Sequence, residues 1–277
     1  MNKKILCLFL LAIIFAGCKN EITYEARDGY TLIHQSRGAT LGYSTSPILV
    51  VDGFAFKDLN RNGSLDVYED WRLPAVKRAR DLAEQLPIDR LCGLMLYSKA
   101  TDADSVNLTQ RQTDYLTKDY IRHMLVRAVK DPKTAAQWSN NIQILCESEP
   151  YGIPSNNSTD PRNYTNGKAS TGAYGHEPDG EFDPSGASDI SKWPREVGMA
   201  ATFDPALVYA HGEIVSAEYR ALGITTALSP QIDLSTDPRW RRFYGSFSES
   251  PELSRDIARA YCDAMQTTEG SKDGWGD

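Results

Sequence analysis

The sequence predicts an α/β protein assembled from parallel βα units, and three observations carry that prediction. Apolar runs short enough to be buried strands occur at Leu91–Leu96, within Tyr120–Val129 and at Ile224–Leu228. Between them lie segments whose apolar residues recur at helical spacing. A chain of 277 residues with 41% hydrophobic content can bury one large core, at the size of a (β/α)8 barrel or of two smaller domains. The formal charge of −7 offers no basic face for phosphates, which argues against a nucleic-acid partner.

Residues 1–17 read as an export signal. Asn2-Lys3-Lys4 is a short basic region, Ile5–Phe15 is apolar, and Phe15-Ala16-Gly17-Cys18 resembles a bacterial lipobox. The apolar run is too short to span a bilayer comfortably as a helix, so cleavage before Cys18 and lipidation of that cysteine are expected, with ordinary signal cleavage as the alternative. A lipidated Cys18 would hold the protein at a membrane of the cell envelope. Residues 18–50 follow as a tether: Lys19–Ser46 is polar with no sustained period, which suggests an irregular extension. Cys92, Cys146 and Cys262 show neither paired spacing nor a Cys/His metal pattern, so buried thiols are expected.

Residues 51–73 contain the segment Asp58–Glu69, which matches an EF-hand loop at each position that matters. Side-chain oxygens fall at positions 1, 3, 5, 9 and 12 as Asp58, Asn60, Asn62, Asp66 and Glu69. Gly63 supplies the turn, Ser64 offers its backbone carbonyl, and Leu65 fills the apolar position. Calcium needs such a crowd of hard oxygens, while the alternative is a solvated Asp/Asn/Gly turn. With one such loop and Pro74 interrupting the exit helix, the expected ion is structural Ca²⁺ rather than a sensor's.

Residues 74–277 carry the βα pattern. A helix begins near Pro74, with Val76, Ala79, Leu82, Ala83 and Leu86 at helical spacing. Another runs from Pro132 to about Cys146, with Ala135, Trp138, Ile142 and Leu145 on one face. Tyr151-Gly152-Ile153-Pro154 leads into Ser158-Thr159-Asp160 at a strand end, where such folds bind ligands. Residues 161–191 are rich in Gly, Ser, Asn, Asp and Pro and read as a long loop, in which Tyr164, Tyr174 and His176 read as ordinary loop packing. An amphipathic helix over 205–222 repeats Leu207, Ala210, Ile214, Ala217 and Leu222 and stops at Gly223. After the strand at 224–228 come Arg239, Arg241 and Arg242, then Glu249 as a cap for a helix from Pro251 to Gln266.

Several blocks occur together in order: Lys192-Trp193-Pro194, Gly198–Pro205, Glu218–Gly223, Ser229–Leu234 and Asp237–Arg242. In combination they resemble the N-terminal barrel domain of glycoside hydrolase family 3, the β-glucosidase and exo-glucosidase group. The resemblance implies a partial (β/α)8 TIM barrel, a glycoside or oligosaccharide substrate and retaining hydrolysis by two carboxylates without a catalytic metal. It assigns sugar-hydroxyl contacts to Asp160 and Arg242, with an Asp-Pro turn and an arginine-rich loop as the bland alternatives. No catalytic residue is assigned, because the family's nucleophilic Asp follows on a later strand; the chain alone is expected to be inactive. The pattern departs at Arg241, where Gly is usual, at Gly245, where Glu is usual, and at Ser248 and Ser250 around Glu249. Non-catalytic glycan binding by a surface lipoprotein, and a calcium-stabilised module serving assembly, are the other two readings.

Overall fold

The computed structural model describes residues 20–160, 191–240 and 242–266. They divide into two compact units: the described residues up to Leu86 together with Glu147–Ile153, and Pro87–Cys146 together with those from Pro154 onward. Cys18, Tyr164, Tyr174, His176 and Arg241 lie outside the described residues.

In the first unit, strands β1 (Ile22–Ala26), β2 (Thr31–Gln35) and β3 (Leu41–Tyr43) form an antiparallel sheet. Strands β4 (Ile48–Val51) and β5 (Phe54–Lys57) form a hairpin. The irregular extension expected over 19–46 is therefore an ordered sheet. The hairpin turns on Asp52 and Gly53, with φ of +52° and +80°, the two left-handed residues that a tight turn between right-twisted strands requires. Phe56 is fully buried, with Trp71 stacked on it at 5.4 Å and donating from Nε1 to the Ala55 carbonyl at 2.9 Å. Glu147 belongs here because its buried carboxylate accepts from the backbone N–H groups of Ser44, Thr45 and Ser46. Helix α1 (Ala75–Gln85) starts at Pro74 as expected, yet it buries none of its own residues within the molecule. Val76 is 75% exposed, and only Leu86, just past the helix end, is buried.

The second unit is an arc of parallel βα units. Its sheet has the order β6 (Thr101–Ala103), β7 (His123–Val129), β8 (Asn156–Thr159), β9 (Thr226–Ala227), each strand parallel to the next. Helices α3 (Gln110–Thr117), α4 (Pro132–Ser148) and α6 (Pro205–Ala221) lie on the crossovers, with the short α5 (Glu196–Ala200) before α6. Helix α7 (Pro251–Gln266) follows β9. Sequential parallel strands joined through helices make the first part of a (β/α)8 barrel. Trp138 and Ile142 of α4 pack with Met124 and Val126 of β7 in one apolar cluster. Val208, Ile257 and Tyr261 anchor a second between α6 and α7.

Two expectations are corrected. Leu91–Leu96 is not a strand: α2 (Ile88–Leu94) follows Pro87, and Met95 is 85% exposed. A six-residue apolar run reads as helix or strand alike by periodicity; within the helix Gly93 packs against the backbone of Asp119, where a Cβ would meet the carbonyl at 2.6 Å. On α6 the buried face is Val208, His211, Gly212, Val215, Ser216 and Tyr219, whereas Leu207 and Ile214 are 38% and 44% exposed. Gly212 sits so close to α7 that a Cβ would lie 2.6 Å from the Ala264 Cβ, so the buried face is the one carrying this glycine. No disulfide joins the described cysteines: Cys146 is buried as expected, but Cys262 is half-buried and Cys92 exposed.

Candidate functional site

β8 is polar along its length, and that polarity is used internally. Asn157, Ser158 and Thr159 are fully or almost fully buried. Asn157 donates to Ser139 Oγ at 3.0 Å and to the Gly223 carbonyl at 3.1 Å. The Ser158 and Thr159 hydroxyls donate to the Met124 and Val126 carbonyls of β7. With every one of these groups satisfied, the strand can run through the core without a net desolvation penalty. Asp160 follows at the carboxyl end of β8, half-buried, where barrel folds bind ligands.

The adjacent strand β9 is followed by the loop carrying Arg242. Arg242 Nε donates to Gln231 Oε1 at 3.0 Å, while Gln231 Nε2 donates to Ser246 Oγ at 2.9 Å. Gln231 thus ties the start of the loop to the turn Phe243–Gly245 and holds the base of an exposed guanidinium. No periodicity marks Gln231; only its place inside the Ser229–Leu234 block could have raised it. Gly245 leaves Gln231 room, since a Cβ there would lie 3.3 Å from Gln231 Oε1. Arg239, on the same loop, pairs with Asp237, Nη2 to Oδ2 at 2.7 Å, at an exposed position. Glu249 does not cap the last helix: Ser250 Oγ accepts from Leu253 N–H instead. Glu218 accepts from both the N–H and hydroxyl of Ser191, so it fixes the chain entering the Trp193 segment.

A cavity of about 340 Å³ is lined by Thr159, Ser216, Arg220, Thr226, Tyr261 and Met265, among others, beside the strands and between α6 and α7. Neither Asp160 nor Arg242 lines it. The strand-end position is the better guide to ligand chemistry, because crevices at the carboxyl ends of parallel strands collect the loops that vary with function.

In the first unit, Asp58–Glu69 is a closed ring of acceptors. Asp58 is 2% exposed and accepts from Asn62 N–H and Gly63 N–H at 3.0 and 2.9 Å. Glu69 is 4% exposed; its oxygens accept from the N–H groups of Leu59, Asn60 and Asp66. The Asn60 and Asn62 amides donate to Asp66 Oδ2 at 2.5 and 2.7 Å. Gly63 has φ of +78° and takes the sharp turn. Burial pushes the Glu69 carboxyl upward against the pull of its N–H donors. The Tyr68 hydroxyl is buried beside Glu69, and burial first, then the Glu69 charge, raises its pKa. Among the described residues no three His, Cys, Asp or Glu side chains close on one point as a metal cluster; this loop mixes three carboxylates with two amides.

Residues 185–272 match the Glycosyl hydrolase family 3 N terminal domain. Over 235 residues the chain is 38% identical to a periplasmic β-glucosidase/β-xylosidase of Dickeya chrysanthemi, covering 82% of this chain and 34% of that protein. β-Glucosidase C of Emericella nidulans is 30% identical over 215 residues, 76% of this chain and 32% of its own. The chain spans about one third of the length of these curated relatives. In fold it is similar to a β-glucoside phosphorylase, with TM-score 0.51, 18% identity, and coverage of 71% of this chain and 31% of that one. A β-N-acetylhexosaminidase of Beutenbergia cavernae gives TM-score 0.50 at 19% identity, over 65% of this chain and 50% of that one. By sequence over residues 185–272 and by its parallel βα arc, the chain is similar to the N-terminal domain of glycosyl hydrolase family 3.

Proposed function

We propose that the chain supplies the sugar-binding part of a β-glucosidase-like hydrolase that releases terminal sugars from glycosides with retention. The observation that supports this most is the match over residues 185–272, which contains the loop holding Arg242 and follows the strand ending at Asp160. The Asp160 carboxylate would accept from sugar hydroxyls and the Arg242 guanidinium would donate to them, each bond charge-assisted. In the retaining reaction one carboxylate attacks the anomeric carbon and a second protonates the leaving oxygen, then draws a proton from water. Neither role is assigned to a residue described above.

The test is hydrolysis of an aryl β-glucoside by the native product purified from its source cells, compared with Asp160→Asn and Arg242→Ala. Each substitution is expected to lower kcat/KM by about 10²-fold, the usual scale for losing one charged contact to the reacting sugar. Sugar binding by the native product without turnover would replace this reading with a non-catalytic glycan-binding protein.

Attachment to the cell envelope through a lipid on Cys18 completes the proposal, supported by the Phe15–Cys18 segment and by the periplasmic description of the Dickeya relative. None of the described helices is long and apolar enough to cross a membrane. Cys18→Ser should abolish incorporation of labelled fatty acid and move the protein from the detergent phase to the aqueous phase. Incorporation unchanged in that variant would remove the anchor.

A further inference from the structure

We infer that Asp58–Glu69 binds one Ca²⁺ and that this ion fastens the exit of β5 to the turn that seats Trp71 on Phe56. The inference goes beyond the hydrolase reading and does not depend on it.

Asp58 and Glu69 are almost wholly buried and Asp66 is half-buried, which brings three carboxylates together within twelve positions of chain. No Lys or Arg among the described residues forms an ion pair with any of the three. The nearby arginines are turned to other acceptors: Arg61 donates to Thr45 Oγ1, Arg78 to the Tyr68 carbonyl and Arg72 to Asp70. Buried ionised groups are normally paired or bound to a metal, because backbone N–H dipoles offset desolvation but leave mutual repulsion among the charges. A divalent cation removes that repulsion. The buried Tyr68 hydroxyl lies in the field of the same three carboxylates and brings no positive charge to offset them.

The chemistry of the donors selects the ion. Oxygens stand at loop positions 1, 3, 5, 9 and 12, the last a carboxylate with both oxygens turned into the loop, and position 7 offers a backbone carbonyl at Ser64. Six or more hard oxygens on a flexible loop suit Ca²⁺; Mg²⁺ demands a tighter octahedron and keeps its own waters. The Asn60 and Asn62 side chains now offer N–H groups to Asp66. Their Oδ1 atoms accept from Asn62 N–H at 3.2 Å and Ser64 N–H at 2.7 Å, so turning both amides towards a cation gives up these two bonds, which coordination of the ion must offset.

The loop begins where β5 ends, with Asp58 N–H bonded to the Pro47 carbonyl, and finishes two residues before Trp71. Ligands 1 and 12 therefore sit at the two ends of a segment whose closure positions the aromatic stack of this unit. The role that follows is structural.

The experiment uses the full chain, stripped with a chelator and titrated with Ca²⁺ by calorimetry, and with Tb³⁺ by luminescence excited through the neighbouring tyrosine. One Ca²⁺ per chain is expected, saturating on the order of 10⁻⁵ to 10⁻³ M, with Mg²⁺ at equal concentration failing to displace it. Glu69→Gln should weaken binding at least tenfold. Asn62→Ala, at an exposed position that the fold tolerates, should weaken it severalfold even if Glu69→Gln does not fold. Ser64→Ala should leave affinity unchanged, because only the backbone carbonyl of that residue would reach the ion. Absence of Ca²⁺ heat and of Tb³⁺ luminescence in a folded wild-type chain would overturn the inference and leave a solvated turn. Preference for Mg²⁺, or affinity unchanged in Asn62→Ala, would overturn it equally.

Discussion

At Gly223 the backbone takes φ of +78°, and a Cβ would lie 2.1 Å from Ser139 Oγ. Gly223→Ala should therefore cost about 2–4 kcal/mol in denaturant unfolding, from left-handed strain and from a clash with a helix that cannot recede. His211 is a second residue whose surroundings set a measurable quantity. It is buried between Trp193 and Tyr261, its Nδ1 has no hydrogen-bond partner, and burial pushes its pKa from 6.5 down to about 4. The unfolded chain then binds this proton more tightly than the folded one. Stability is complete above pH 6.5 and is lost as pH falls towards 4, by on the order of 3 kcal/mol for this group. His211→Leu should flatten that part of the difference in stability between pH 7 and pH 4.5. At this scale the sequence was most legible where a residue type has one use. Gly223 as a helix stop and Gly63 as a loop turn were both readable. Gln231 was not, because an amide that braces an arginine looks like any other polar loop residue.

Helices α6 and α7 show where periodicity succeeds and where it misleads. The bounds of α7 are those expected, Pro251–Gln266, and its buried face of Ile257, Ala258, Tyr261 and Ala264 is continuous. The bounds of α6 also agree, but Leu207 and Ile214 point outward while Val208, Val215 and Tyr219 are buried together with His211, Gly212 and Ser216. A hydrophobicity count cannot see that a glycine permits close approach and so selects the contact face. Ile257→Ala should cost about 3 kcal/mol, whereas Ile214→Ala should change stability by less than about 0.5 kcal/mol, both read from urea midpoints. Equal losses would mean that α6 is rotated from the orientation described. The β4–β5 hairpin was missed for a different reason: Asp52-Gly53 between two apolar runs is a strong turn signal, overshadowed by the polar stretch before it.

At the level of the whole molecule, each of the two units has its own core, one around Phe56 and Trp71, the other around Trp138 and Ile142. Separate cores predict separable unfolding. With all tryptophans but one replaced by phenylalanine, a Trp71 reporter should show a midpoint that rises with added Ca²⁺, while a Trp138 reporter should not respond. A common shift of both would mean that the units unfold as one. The alternation of strands and helices made the parallel arc legible from the sequence, and the resemblance supplied its barrel character. In the first unit the turn at Gly63 and the start of α1 were legible, but the antiparallel sheet was not, because three short strands with mixed polarity leave no period long enough to register.

The hydroxyls and amide of β8 act as a key cut for one lock. Sliding the strand by a single residue, roughly 3.3 Å, would present Asn157 and Thr159 to the wrong carbonyls and strand several polar groups in an apolar core. The height of Asp160 along the barrel axis is consequently indexed by its three predecessors, so changes of sequence after Asp160 should leave the carboxylate at the same level.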